Sequence, residues 1–144
     1  MNRDGKDRVI LVVDDSEDDR MFVRTALQSV AADIVIAEAG DGVEALEYLR
    51  DDARAFPDFI LLDLKMPRKD GLETLAEIRL DPKLRHLPVV AIFTTATDPD
   101  LVRRAYAGGA NAFVGKPSTI GGMRETMAGI VRHWFEIATL PQRP

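Results

Sequence analysis

Short, almost uninterrupted apolar runs alternate along the chain with longer segments whose apolar residues recur at helical spacing. The runs are Val9 to Val13, Ile34 to Ala37, Phe59 to Leu62, Val89 to Phe93 and Ala112 to Val114. A short run of this kind, bounded by polar residues, is what a strand covered on both faces requires. The intervening segments predict five helices. The first spans Ser16 to Val30, where Ser16 can cap and Glu17, Asp18 and Asp19 complement the positive end of the helix dipole. Asp41 caps the second, which turns Val43, Leu46 and Leu49 inward. Leu72, Leu75, Ala76 and Ile78 form the stripe of the third, and Pro82 helps to end it. The fourth runs from about Pro99 to Ala107, with Asp98 as cap and Pro99 in the first turn, and the fifth from about Thr119 to Ala138.

Strand and helix in strict alternation predict an α/β fold, a five-stranded doubly wound parallel sheet of flavodoxin-like order 2-1-3-4-5 with helices on both faces. In that order the topological switch point lies between the first and third strands, and a ligand site is expected at the carboxyl ends of the strands around it. The 144 residues, 46% of them hydrophobic, suffice for one core but not for two. Residues 1–144 therefore read as a single domain, with 1–7 a flexible N-terminus and 139–144 a C-terminal tail. Nothing in the chain repeats, and no linker parts it.

Composition narrows the function. A formal net charge of -5 supplies no positive field for nucleic-acid phosphates or an anionic bilayer, so neither partner is expected. With no cysteine, disulfides, thiolate metal sites and a cysteine nucleophile are excluded, and the chain suits a reducing cytosol. Met1 to Arg8 is polar and lacks the apolar core of a secretory signal, and no later run approaches the ~20 apolar residues of a membrane span. The expectation is a soluble, cytoplasmic protein.

The strand ends carry the chemistry. Asp14 and Asp15 follow the first strand, and Asp63 closes the third. Three carboxylates at ~4 Å spacing repel by about 4 kcal/mol per pair at an effective dielectric near 20. Either their pKa values rise or a hard divalent cation such as magnesium joins them. Lys116, just past the fifth strand and before Pro117, reaches the same edge of the sheet as a second positive element. A carboxylate so surrounded can act as nucleophile toward a phosphoryl group and form an aspartyl phosphate. Thr94, ending the fourth strand, offers a hydroxyl to one of the phosphoryl oxygens. Any one of these residues alone reads as a cap, a turn or a surface residue; polar groups from four strand ends on one edge read as a site.

Val12-Val13-Asp14-Asp15, Asp63-Leu64-Lys65-Met66-Pro67 followed by Asp70-Gly71, Thr94-Thr95, and Gly109-Ala110-Asn111 leading to Lys116-Pro117 resemble the receiver domain of two-component response regulators. The resemblance runs from Val9 to about Trp134. It implies that Asp63 is the phosphoacceptor, that Asp15 and Asp63 hold Mg2+ with the backbone carbonyl of Lys65, and that Asp14 assists through water. It further implies that Lys116 contacts the phosphoryl oxygens, and that the Thr94 hydroxyl moves toward them while Phe113 swings inward. Two departures stand out. One extra residue separates Pro88 from Thr94, so a bulge or shifted register could exchange Thr94 and Thr95; the spacing to Lys116 favours Thr94. Lys65 replaces the commoner asparagine, at a position that serves through its backbone.

Pro67-Arg68-Lys69-Asp70-Gly71, Asp81-Pro82, His86-Leu87-Pro88 and the tail from Trp134-Phe135 to Leu140-Pro141 are similar to single-domain regulators that partner bacterial phytochrome kinases. That narrower similarity implies a sensor histidine kinase of phytochrome type as partner, and a homodimer through the fourth helix, fifth strand and fifth helix. Little chain remains beyond the fifth helix, so an output domain is not expected and the signal should leave by protein contact. The last helix is broadly apolar, and Trp134, Phe135 and Leu140 could form a dimer surface or fold back over the core. His86 and His133 read as surface residues. Three rival readings fit the residues less well. A haloacid-dehalogenase-like phosphatase needs an acid two positions after its nucleophile, where Lys65 stands. A flavin-binding module needs a glycine- and hydroxyl-rich phosphate loop where Asp14 and Asp15 stand. A non-phosphorylated receiver-like interaction module need not retain every acidic position. The chain thus reads as a switch with its own phosphoryl chemistry rather than as an enzyme.

Overall fold

Covering on both faces is what turns the apolar runs into strands, and the central ones are covered throughout. In a computed structural model that describes residues 8–141, every residue of β1 (Val9–Val13), β3 (Phe59–Leu62) and β4 (Val89–Thr94) is buried. With β2 (Val35–Ala39) and β5 (Ala112–Gly115) they form one parallel sheet of order β2-β1-β3-β4-β5, as expected. The helices are α1 (Glu17–Val30), α2 (Gly42–Arg50), α3 (Gly71–Leu80), α4 (Pro99–Ala107) and α5 (Ile120–Val131). The expected flexible N-terminus, 1–7, and the tail's last residues, 142–144, lie outside the described residues.

Alternation along the strands divides the core into two layers. Leu11, Val13, Ile60, Leu62, Val90 and Ile92 pack with residues of α2, α3 and α4 such as Leu46, Ile78 and Ala105. Ile10, Val12, Phe59, Leu61, Ala91 and Phe93 pack with residues of α1 and α5 such as Leu27, Met127 and Ile130. The caps are side-chain acceptors for orphan N–H groups at the helix starts. Ser16 accepts from the Asp19 N–H, Asp41 from Glu44, Asp98 from Asp100 and Thr119 from Gly122. A fifth cap, Asp70 in a reciprocal box with Glu73, starts α3.

Two boundaries differ from expectation. β2 is shifted toward Ala39 and includes Glu38, which stands opposite Val12. It is an edge strand, half open to solvent, so an apolar run does not mark its limits. Glu38 instead pairs with Arg20 at 3.1 Å and with Arg24, both on α1. The fifth helix leaves α geometry after Val131 and widens into a π-helical turn, Arg132–Ile137, closed by the Ala138 N–H on the His133 carbonyl at 2.7 Å. Adjacent Trp134 and Phe135 thereby both meet the Phe59 ring edge-on, each at 6.1 Å. Leu140 is buried in the same layer. Of the two roles open to the aromatic tail, the structure takes the fold-back over the core.

Full burial of an aromatic side chain contributes about 3–5 kcal/mol relative to alanine. Half-buried Trp134 should therefore contribute about 2 kcal/mol, and Trp134→Ala is expected to lower the free energy of unfolding measured in urea by that amount at a concentration where the protein is monomeric.

Candidate functional site

The sheet carries its ladder one residue past β1, β3 and β5 and so fixes the backbone of Asp14, Asp63 and Lys116. The Asp14 N–H donates to the Ala39 carbonyl at 3.1 Å, the Asp63 N–H to Val13 at 3.0 Å, and the Lys116 N–H to Thr94 at 2.9 Å. The side chains converge from there. Lys116 Nζ donates to Asp14 Oδ2 at 2.6 Å, Asp19 Oδ2 at 2.9 Å and Asp63 Oδ2 at 3.3 Å. Asp63 Oδ1 accepts from the Leu64 N–H at 2.8 Å, and Asp14 Oδ1 from the Ser16 N–H at 2.9 Å. Asp14 and Asp63 are buried, while Asp15 opens to solvent.

Electrostatics makes the cluster incomplete by itself. Burial pushes the Asp14 carboxyl above its ordinary range, against the hydrogen bonds from Lys116 and Ser16. Burial also works to lower the Lys116 pKa, but the hydrogen bonds to Asp14 and Asp19 and the charges of Asp14 and Asp63 outweigh it and raise the value. One ammonium thus faces four carboxylates, those of Asp14, Asp15, Asp19 and Asp63. Oxygen atoms of Asp14, Asp15 and Asp63 all lie within 4.8 Å of one another. Carboxylate oxygens at such spacing suit a hard divalent cation that retains part of its water.

The loop after β3 carries Lys65, whose side chain is exposed, and it is bolted to α2. Arg68 is the only non-glycine with positive φ among the described residues, at 63°. Its guanidinium grips the α2 cap, with Nε on Asp41 Oδ2 at 2.7 Å and a second nitrogen on Oδ1 at 3.1 Å. The Gly71 N–H closes the loop on the Leu64 carbonyl at 2.8 Å. A Cβ on Gly71 would stand 2.2 Å from the Asp63 carbonyl oxygen, so glycine is required for this close approach.

Thr94 ends β4 fully buried, opposite Gly115, whereas Thr95 is exposed and lines the cleft between α1 and α5 together with Lys116. Phe113 stands opposite Ile92 and packs half-buried against the α2–α3–α4 layer. Its backbone N–H donates to the Tyr106 hydroxyl at 3.1 Å. The structure therefore brings Asp14, Asp15, Asp63 and Lys116 together and ties the Thr94 backbone to that of Lys116. His86 and His133 are exposed, as expected, the former stacked on Phe56 at 4.6 Å. Two residues escaped sequence reasoning. In the sequence Asp19 reads as a complement to the helix dipole alone, although its place in the first turn points back to the strand end. Arg68 reads in the sequence only as part of a motif, and no local signal reveals a partner 27 positions away.

Comparison with known proteins gives a consistent picture. The family description "response regulator receiver domain" matches residues 10–128. Response regulator Rcp1 of Synechocystis sp. is 33% identical over 138 residues, covering 93% of both chains. The crystal structure of the phosphorylated cyanobacterial phytochrome response regulator RcpA superposes with a TM-score of 0.88 at 33% identity, covering 95% of this chain and all of that one. The Mn2+-bound form of Rcp1 superposes with a TM-score of 0.85 at 34% identity, over 94% of this chain and 99% of the other.

The Arg68 clamp has a testable signature. Arg68→Gly loses the ion pair but accepts the left-handed backbone, whereas Arg68→Ala loses the pair and keeps the strain, so Ala should be the less stable by about 1 kcal/mol in urea unfolding. Hydrogen bonds from Arg68 hold the Asp41 carboxyl below its usual range. A lowered folded-state pKa gives stability that is full above the ordinary value near 4 and is lost as pH falls through the lowered one. The stability gap between the native protein and Arg68→Gly should accordingly narrow below about pH 4.

Proposed function

The chain belongs to the response regulator receiver family, a family of two-component phosphoacceptors, and from that premise we propose that Asp63 is the residue that takes the phosphoryl group. The observation that carries this proposal is the convergence of Lys116 Nζ, from beyond β5, on the carboxylates of Asp14 and Asp63. The Leu64 N–H occupies Asp63 Oδ1, leaving Oδ2, which faces Lys116, for attack. Oδ2 forms the new O–P bond as the P–N bond of a phosphohistidine breaks, and the leaving imidazole nitrogen keeps the electron pair and takes a proton. Lys116 meets charge developing on the phosphoryl oxygens.

Asp15, Asp63 and the Lys65 carbonyl would hold Mg2+, with Asp14 reaching it through water. Such an ion, when bound, neutralises the phosphoryl oxygens and the crowded carboxylates together. Thr94 and Phe113 are the switch pair: β4 ends at Thr94, ahead of α4, and Phe113 stands on the neighbouring strand, β5. Arrival of a dianionic group at Asp63 draws the Thr94 hydroxyl toward it and lets Phe113 turn inward. Thr95 opens instead onto the α1–α5 cleft, on the other side of the sheet.

The partner is a sensor histidine kinase, of phytochrome type by the similarity to Rcp1 and RcpA. Residues 1–144 act as one receiver unit in the cytoplasm, and among the described residues no helix is long and apolar enough to cross a membrane. The phosphoryl chemistry serves the protein's own switching rather than turnover of a substrate. Two copies associate through α4, β5 and α5, a surface that exposes Tyr106 beside an edge strand. The tail aromatics, used over the core, contribute little to it.

Incubation with Mg2+ and acetyl phosphate is expected to give an acid-stable, hydroxylamine-labile adduct that disappears in Asp63→Asn; an undiminished adduct in that variant would refute the assignment. Mg2+ at one hundred times its dissociation constant should stabilise the unphosphorylated protein by about 2.7 kcal/mol. Light scattering should detect a dimer, and a monomer at high micromolar concentration with and without beryllofluoride would retire that part of the proposal.

A further inference from the structure

An ammonium group has three N–H donors and no acceptor. All three donors of Lys116 are directed at carboxylates, to Asp14 at 2.6 Å, Asp19 at 2.9 Å and Asp63 at 3.3 Å. With Asp63 as phosphoacceptor, on which this inference rests, at least one donor has to pass to a phosphoryl oxygen. The three candidates for release are not equivalent. Asp63 is the nucleophile itself, and its phosphoryl group takes the place of the old contact. Asp14 belongs with Asp15 and Asp63 to the group of acids clustered closely enough to share a cation. Asp19 lies outside that group, on the first turn of α1, and among the described residues its side chain bonds to Lys116 alone. Its backbone is held by the Ser16 hydroxyl, which accepts the Asp19 N–H at 3.1 Å. The helix cap therefore presents the Asp19 carboxylate to the lysine in a set position, with a side chain 39% exposed.

We propose that Asp19 is a positioning residue that holds Lys116 in competition with the phosphoryl group, so that it slows phosphorylation of Asp63 and weakens retention of the phosphoryl oxygens. The shorter contact goes to Asp19 and the longer to Asp63, so the ammonium stands nearer its holder than the nucleophile. Phosphorylation hands the donor that faced Asp63 to the incoming group and draws the ammonium toward it, which loosens the contact with Asp19. A half-exposed ion pair is weak, so the restraint amounts to a few-fold change in rate rather than a block.

The test compares Asp19→Asn, which keeps the shape and removes the charge, with Asp18→Asn, which makes the same charge change at an exposed neighbour. Phosphorylation rate is measured with acetyl phosphate at saturating Mg2+, and beryllofluoride affinity by calorimetry. Asp19→Asn should raise both about two- to five-fold, leave calorimetric Mg2+ affinity of the unphosphorylated protein within about two-fold, and melt as the native protein does. Asp18→Asn should leave rate and affinity unchanged. An unchanged or slower Asp19→Asn, or an equal gain in Asp18→Asn, overturns the proposal. If the native protein takes up no phosphoryl group at all, the assignment of Asp63 falls first and this inference with it; a normal native adduct with an unresponsive Asp19→Asn removes this inference alone.

Discussion

Like-charge crowding at the carboxyl edge of the sheet is the constraint around which the rest is arranged. Asp14, Asp15 and Asp63 are held close by the backbone ladder, not by any attraction for one another. One lysine, itself partly withdrawn from water, is the sole cation among the described residues that bonds the carboxylates of Asp14 and Asp63. Such a cluster is stable only at a cost, visible in the raised Asp14 pKa. The same cost would make the edge receptive: a cationic ligand would relieve it, and a phosphoryl group would be tolerated there only in its company.

Two devices keep this edge from relaxing. Below it, the strands are locked in register and buried on both faces, so Asp14 and Asp63 cannot move apart without breaking the β1–β3 ladder. Beside it, the β3–α3 loop is held by a left-handed Arg68 and by a glycine at Gly71 pressed against the Asp63 carbonyl. A strained residue persists where its surroundings over-determine it, and here the surroundings are the cap of α2. The acid that starts one helix thus steadies the loop that leads into the next.

How much of this was legible in the sequence follows from what each feature depends on. β1, β3 and β4 could be read from their apolar runs because both their faces are covered; β2 could be read but not bounded, since an edge strand admits Glu38. Ser16, Asp41 and Asp98 were readable as caps because capping is local, within three residues. The gathering of Asp14, Asp15, Asp63 and Lys116 was legible because the sheet order alone brings those strand ends together. Asp19, Arg68 and the π-helical turn were not. The first two act through partners far along the chain, and the third depends on a ring, Phe59, that only the folded sheet puts within reach of Trp134 and Phe135.

The bond from the Phe113 N–H to the Tyr106 hydroxyl bears on how copies of this protein can meet. An open strand border usually invites another chain to zip onto it, a route to fibres. On β5 a phenol from the neighbouring helix already occupies one of the outward-facing donors. Contact between two molecules across this surface must then rely on side chains meeting side chains, and the sheet cannot run on uninterrupted from one molecule into the next.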